Sequence, residues 1–559
     1  MAAVTMTPGY AGLDVIADDP RTQTMVVAAG VDLLVIGVPV CAFTGVREHL
    51  DSRGLRDCLD RAAIVEYLHR RYTGDVVFIV NSADETVIYR PPFSEQSIYY
   101  RVEGEHTTIW LDDIVPAGSG TVHEFDWPAL QFMLNCSIVP THRTGLVGTF
   151  EVLSGTYVRI PRGQVPHPPI ELMHRDLAST APWRGEFEEL TVRVRQLVES
   201  SVAHKLGGVG ERFSLSCSGG LDSSVLTAAA APHVPGGVHL INCRRVDDPG
   251  TDERPYFDVL VAALGARGEY VTFGGRPTDL GAVELAATAR PSKIASAIAI
   301  NSEQHIAAGR AGSVVLLSGD GGDQLFLKQR PEVVAAEAFR ESRTVRAAAS
   351  TIAELAISRR VSWWDATHEL ATRSANRGLE ARLRSVGDGA TVISDTRLAR
   401  QVREPVAGRR LTSRMGATRG FQYVGLRAAE LNRISIAGSP VRTRKPFLFW
   451  PLVRLCIAAE RRHHIHQGES RAVERGAFES RLPHAIVRRA GKQGERSLID
   501  HYDHEALARS VLDSELCTEG VVDRNKLEAV LSVPPTEDST VALVRAASIV
   551  YWMGTHVRS

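Results

Sequence analysis

The stretch Phe213-Ser214-Leu215-Ser216-Cys217-Ser218-Gly219-Gly220-Leu221-Asp222-Ser223-Ser224-Val225-Leu226 constrains the chain more than any other. It reads as a short apolar strand, a tight polar loop and the first turn of an Ala-rich helix running to Ala231. Two adjacent glycines let the backbone turn sharply and approach a ligand with no Cβ in the way. Ser218, Ser223 and Ser224 supply hydroxyls, and the free N–H groups at the helix start point the same way, so the loop is an anion cradle. A carboxylate, Asp222, among such donors makes sense if a divalent cation joins it to a phosphate. The loop lacks the Lys-Ser/Thr ending of the Walker A loop. The plainer alternative, a Ser/Gly turn between strand and helix, accounts for fewer of these residues.

The segments after the loop alternate in character. Val238–Cys243, Tyr270–Phe273 and Val314–Ser318 read as buried strands, and Tyr256–Leu264 as a helix between them. Glu188–Val202, with Leu190, Val194, Leu197 and Val198 in one stripe, reads as an amphipathic helix ahead of the loop. Strands alternating with helices argue for a parallel sheet, whose ligands sit at the carboxyl ends of its strands. A second polar run, Ser318-Gly319-Asp320-Gly321-Gly322-Asp323-Gln324-Leu325-Phe326, falls at such an end. By itself it is equally an Asp/Gly surface turn. Residues 334–435 read as a mainly helical addition.

Residues 20–165 read differently, as short strands (26–29, 33–38, 76–80, 86–89, 107–111, 157–160) around one helix at 57–72, a layered α+β unit. A Pro-rich connector follows at Pro161, Pro166, Pro168 and Pro169. The expected organisation is therefore 1–165, a linker at 166–185, and 186–559. A formal net charge of -1 gives no argument for nucleic acid or an anionic membrane. Seven scattered cysteines without a C-x-x-C pair argue against a disulfide framework or a zinc site, and for a reducing compartment. With no signal-peptide pattern and no membrane-spanning apolar run, a cytoplasmic location is expected.

Ser-Gly-Gly-Leu-Asp-Ser-Ser resembles the pyrophosphate loop of the ATP pyrophosphatases, which split ATP into AMP and pyrophosphate while adenylating an acid. The Ser318–Phe326 run resembles the S-G-acid-G-S/G-D-E-L-F motif of the asparagine synthetase B and β-lactam synthetase group. Gly74–Val80, Ile88–Arg90, Ile98–Tyr100 and Thr149–Gly155 resemble that group's N-terminal glutaminase-type domain. The resemblance implies an α/β protein with two parts. One is a glutaminase-like (Ntn-type) α+β layered domain, and the other a parallel-sheet ATP-pyrophosphatase domain of the adenine nucleotide α-hydrolase-like kind with helical additions. It implies ATP held by Ser216, Ser218, Gly219, Gly220, Leu221, Asp222, Ser223, Ser224, Cys243 and Gly319, and Mg²⁺ held by Asp222 and Asp323. Asp252-Glu253 matches the group's D-E pair, which could equally complement a helix dipole. Lys445-Pro446-Phe447-Leu448-Phe449 resembles R-x-P-F-L-D. Gly468–Arg475 resembles G-x-x-K-x-x-L-R with Arg471 at the catalytic Lys, and Arg489–Gly494 also fits. Asp320, Arg471 and Lys492 are the implied catalytic residues.

Three departures narrow the reading. Residue 2 is Ala2 where the glutaminases carry their N-terminal cysteine, so no ammonia release is expected. Arg471 replaces Lys, and Arg442 stands where asparagine and β-lactam synthetases usually carry Glu. These departures and the form of the 468–483 segment are similar to lasso peptide macrocyclases. That resemblance implies a linear core peptide as substrate and a leader peptidase and leader-recognition protein as pathway partners. An amide-forming synthetase acting on a small molecule, and a catalytically silent binding relative, are the alternatives.

Overall fold

The computed structural model describes residues 13–557 apart from 17–21, 29, 59, 117–123, 137–138, 208–209, 211, 247–251, 275–279, 281–283, 293–297, 343, 376–390, 403–416 and 490–497. The chain is mixed α/β, and a parallel sheet forms its centre. That sheet has five strands in the order Arg267–Phe273, His239–Arg245, Phe213–Ser216, Val315–Leu317 and Arg442–Arg444, every neighbouring pair parallel. The chain enters at the middle strand, moves outward two strands, then crosses back to the other side. The direction of winding therefore reverses between Phe213–Ser216 and Val315–Leu317, which opens a crevice at their carboxyl ends. The expected strands are present. The fifth, Arg442–Arg444, was not read from sequence, because Arg-Thr-Arg has no apolar pattern and its pairing is long-range.

The middle strand is short and apolar, so it is buried on both faces. Leu215 packs under Val225, Leu226, Leu240 and Leu317 in the largest core. The helix Phe187–Lys205 lays Leu190, Val194, Leu197, Val198 and Val202 onto the same core, the stripe expected from sequence.

The N-terminal third is layered. A six-stranded antiparallel sheet runs from Ile170–Glu171 through Thr156–Pro161, Glu85–Arg90, Val76–Ser82 and Val31–Gly37 to Gln23–Ala28. A four-stranded mixed sheet, Leu13–Ile16, His106–Leu111, Ile98–Glu103 and Thr149–Glu151, faces it. Period-two alternation sorts the side chains: Leu34, Ile36, Val77 and Ile79 point toward the second sheet, while Leu33, Val35, Phe78 and Val80 pack under the helix Arg61–Arg71. The helix starts four residues later than the sequence suggests, because Asp60 caps it by accepting from Ala63 N–H at 2.8 Å. The Pro-rich stretch gives way to the edge strand Ile170–Glu171 and the helix Met173–Ser179, with Leu172 and Met173 buried.

The helix Glu537–Val557 supplies a second core with Leu130, Leu134 and Leu146 of the N-terminal third. Trp552 lies so close over Gly145 that a Cβ there would stand 2.3 Å from its ring. All seven cysteines are free thiols. Among the described residues no helix is long and apolar enough to cross a membrane.

Candidate active site

The crevice is walled by the two loops singled out in the sequence. In the first, Gly219 adopts φ +71° and packs so closely that a Cβ would stand 2.9 Å from the Phe257 nitrogen, so glycine is required there. Gly220 caps the helix Leu221–Ala230, which starts as expected. Ser218 Oγ accepts from the Gly220 N–H, while the hydroxyls of Ser223 and Ser224 turn back onto the Gly220 carbonyl at 3.1 and 2.8 Å. Both side chains are buried, and these bonds brace the loop. Asn242 Nδ2 fixes the loop's start by donating to the Cys217 carbonyl at 2.9 Å. Ser216 closes the strand, half-buried. Cys243 packs toward the Ile241, Val271 and Ala307 cluster, where burial pushes its thiol up to about 12.

The second loop lies alongside. A Cβ on Gly319 would stand 3.2 Å from the Asp222 Cβ, and one on Gly322 would stand 2.1 Å from Asp222 Oδ1. Gly321, at φ +94°, turns the chain into the short helix Gly322–Leu325, whose first turn carries Asp323. Asp222 and Asp323 thus meet across the crevice from two strand ends.

Arg471 joins them. Its Nη1 donates to Asp323 Oδ1 at 2.9 Å, its Nη2 to Asp222 Oδ1, and its Nε to Glu474 Oε2 at 2.9 Å. Lys328 Nζ donates to Asp323 Oδ2 at 2.9 Å. Burial and the neighbouring charge of Glu474 push the Asp222 carboxyl well above its usual range, despite Arg471. Burial alone would raise Asp323 as well, but Arg471 and Lys328 outweigh it and hold it low. The two acids are therefore pulled apart, as paired carboxylates at a shared site are.

Asp320 lies on the same loop with its side chain 41 % exposed, and its Oδ2 is 3.9 Å from Lys445 Nζ. Lys445 is buried, donates to the Ala429 and Asn432 carbonyls, and has its ammonium pKa lowered by burial. Lys445 also lines a cavity of about 540 Å³ between the N-terminal third and the parallel sheet. Asp75, Arg90, Glu95, Asp112 and Asp113 line one side, and Glu430, Arg433, Arg442, Arg444 and Lys445 the other. Arg442, at the position of the expected Glu, pairs with Asp112 at 2.8 Å. Phe449 is buried against Gly45 and His204.

Lys492 lies outside the described residues. Arg489, three residues earlier, donates to the Gly219 carbonyl and to Glu253, and Asp252 accepts from Arg254. Sequence reasoning missed Glu474 and Lys328, and took Arg489 only as part of a pattern. The signal for Glu474 was its spacing three residues after Arg471, one helical turn. Nothing local marked Lys328.

The residues fit a hard divalent cation. Asp222 and Asp323 bring two carboxylates together around one positive group, and carboxylate oxygens are the donors such a cation takes. Among the described residues no group of three or more His, Cys, Asp or Glu is set to hold a metal alone. No curated protein matches the chain. The family model described as Asparagine synthase matches residues 193–553, more than half of the chain, and that span holds both loops, Arg471 and Lys445. The chain belongs to the asparagine synthase family, and with it to the ATP-dependent ligases that form amide bonds.

Proposed function

We propose that the chain is an AMP-forming macrocyclase of the lasso peptide type. It adenylates an Asp or Glu side chain of a linear core peptide, and the peptide's own α-amine closes the ring. The observation that carries this reading is the chamber of about 540 Å³ lined by Lys445, whose ammonium lies 3.9 Å from Asp320. It has the size of an organic ligand, far larger than ammonia needs, and its walls carry both acidic and basic side chains. A zwitterionic segment with an amine and a carboxylate suits such walls.

In the first step a carboxylate oxygen of the peptide attacks the α-phosphorus of ATP, the bond to the β-phosphate oxygen breaks, and pyrophosphate leaves. The cradle of residues 218–224 binds the phosphates through backbone N–H groups. Mg²⁺, held by Asp222 and Asp323, would supply charge neutralisation on the phosphate oxygens. Arg471 adds a cation that stabilises growing negative charge, and its planar fork suits phosphate. In the second step the amine attacks the acyl carbon, the acyl–phosphate bond breaks, AMP leaves, and the amine gives up one proton. Asp320, half-exposed beside Lys445, is the acceptor this reading assigns to that proton. An α-amine with a pKa near 8 needs little help. Holding both ends of one chain in place supplies much of the rate.

The N-terminal third, read as a glutaminase-like domain, serves in this proposal as one wall of the chamber. A leader peptidase and a leader-recognition protein would deliver the peptide. The test is incubation with ATP, Mg²⁺ and leaderless candidate peptides, with AMP and product mass as readouts. Loss of one water from the peptide with one AMP formed is expected. Pyrophosphate release stimulated only by a small amino acid would favour a small-molecule synthetase, and no AMP with any acid would leave a binding protein.

A further inference from the structure

The arrangement around Arg471 raises a question that the ligase reading leaves open. One guanidinium lies between the two carboxylates that the metal needs, and both cannot fill the same space. Arg471 is only 7 % exposed, and its backbone has φ +58°, a left-handed conformation unusual for a residue with a side chain. That conformation starts the helix Ala472–Phe478, and so places Glu474 one turn below Arg471 on the same face. The helix itself is seated firmly: a Cβ on Gly476 would stand 3.0 Å from Thr191 Cγ2 and 3.2 Å from the Phe187 ring.

The partners of Arg471 differ in depth. The Asp323 side chain is 38 % exposed and that of Glu474 1 %. Two nitrogens of the guanidinium, Nε and Nη2, converge on the single oxygen Oε2 of Glu474, at 2.9 and 2.5 Å. Nη1 and Nη2 reach outward to Asp323 and Asp222. The inner contact is a two-point anchor, and the outer contacts are single bonds to groups near the crevice. An arriving cation competes for the outer pair and leaves the inner pair intact. Removing Glu474's charge would leave the guanidinium with only the aspartates to answer it.

We propose that Glu474 positions Arg471 as a withdrawable clamp on the Asp222–Asp323 pair. Arg471 closes the two carboxylates on each other; entry of metal and nucleotide would draw it back onto Glu474, with its outer nitrogens turned to phosphate. The proposal rests on the ligase reading for the identity of the metal–nucleotide. Its test does not, because it can be run with the metal alone.

The probe is Mn²⁺ without ATP or peptide, with free Mn²⁺ followed by electron paramagnetic resonance. Arg471→Ala removes the clamp and is expected to tighten Mn²⁺ binding about tenfold or more. Glu474→Gln leaves the guanidinium fully on the aspartates and is expected to weaken Mn²⁺ binding by about tenfold. The double variant Arg471→Ala/Glu474→Gln decides the mechanism, since a residue acting through another loses its effect when that other is gone. Glu474 also contacts Asp222 directly, so the double variant is expected to bind Mn²⁺ nearly as Arg471→Ala does, with most of the Glu474→Gln effect gone. Two results overturn the proposal: unchanged Mn²⁺ affinity in Arg471→Ala, or a Glu474→Gln effect that persists undiminished without Arg471, which would make Glu474 a charge felt directly by the metal. If Glu474→Gln does not fold, Glu474→Asp in the same cycle gives the same reading, since it keeps the charge but withdraws it from Arg471. An inactive ligase with this Mn²⁺ pattern would sink the macrocyclase reading and keep the clamp.

Discussion

Arg489 donates from Nη1 to the Gly219 carbonyl at 2.9 Å, across 270 residues of sequence. Its guanidinium also lies 3.9 Å from the Tyr256 ring centroid and pairs with Glu253. One side chain thus ties the phosphate cradle to the helix Arg254–Leu264. Arg489→Ala is expected to raise the ATP KM about tenfold while also lowering stability by about 2–4 kcal/mol, because it leaves a mostly buried carboxylate on Glu253 unpaired. Nucleotide titration and a urea melt check the two effects separately. Unchanged KM alongside lost stability would make Arg489 a strut only.

Gly322→Ala is expected to displace Asp222, since its Cβ would meet Oδ1 at 2.1 Å. Pyrophosphate release should fall at least a hundredfold, the scale on which lost electrostatic groups act, with the fold intact by circular dichroism. Gly236→Ala, where no atom lies within 4 Å of the added Cβ, is the control that should change nothing.

Asp323→Asn should separate metal dependence from nucleotide binding. Removing one of two anionic ligands is expected to raise the Mg²⁺ concentration needed for half-maximal pyrophosphate release by about tenfold or more. Asp320→Asn should instead spare adenylation and slow ring closure by about a hundredfold, a typical share for a proton acceptor. Single-turnover measurement of AMP against product distinguishes them. If Asp320→Asn stops pyrophosphate release, its assigned step is wrong.

Acid should unlock the contact of the N-terminal third with Arg290 and Arg433. Burial would raise the Glu151 carboxyl, but Arg433, Arg290 and Arg90 outweigh it and pull it from 4.5 to about 2. A folded pKa below the unfolded one stabilises the protein above about pH 4.5, and that contribution disappears as pH falls toward 2. Linkage puts it at about 3 kcal/mol. Glu151→Gln should therefore melt lower than the parent at pH 7, with the gap closing near pH 2. A gap independent of pH would contradict this.

The two crevice loops were legible because each is local. A strand, a glycine turn and a helix start within a dozen residues are written in periodicity and in Gly219, Gly220, Gly321 and Gly322. The five-stranded order was half legible: alternation announced a parallel sheet, while Arg442–Arg444 carried no apolar signal and joined only through its partner Val315–Leu317. The helix Ile298–Arg310 escaped for a related reason. Its Asn301, Ser302, Gln304 and His305 dilute the apolar stripe, and Ser302 and His305 bond back to carbonyls one turn earlier. Glu474 was hidden because its meaning depends on Arg471 meeting Asp222, 249 residues away. Ser223 and Ser224 stand in the first turn after the loop, as the sequence indicates, while their bonds to the Gly220 carbonyl are a contact that no pattern announces.

The helix Glu537–Val557 covers Leu130, Leu134 and Leu146. On the ribosome those leucines emerge several hundred residues before their cover is made. At 5–20 residues per second the wait is on the order of 20–80 s. The N-terminal third must therefore spend most of its synthesis with an uncovered apolar face. Expression of this protein will depend on translation speed and chaperone supply as much as on the stability of the finished fold.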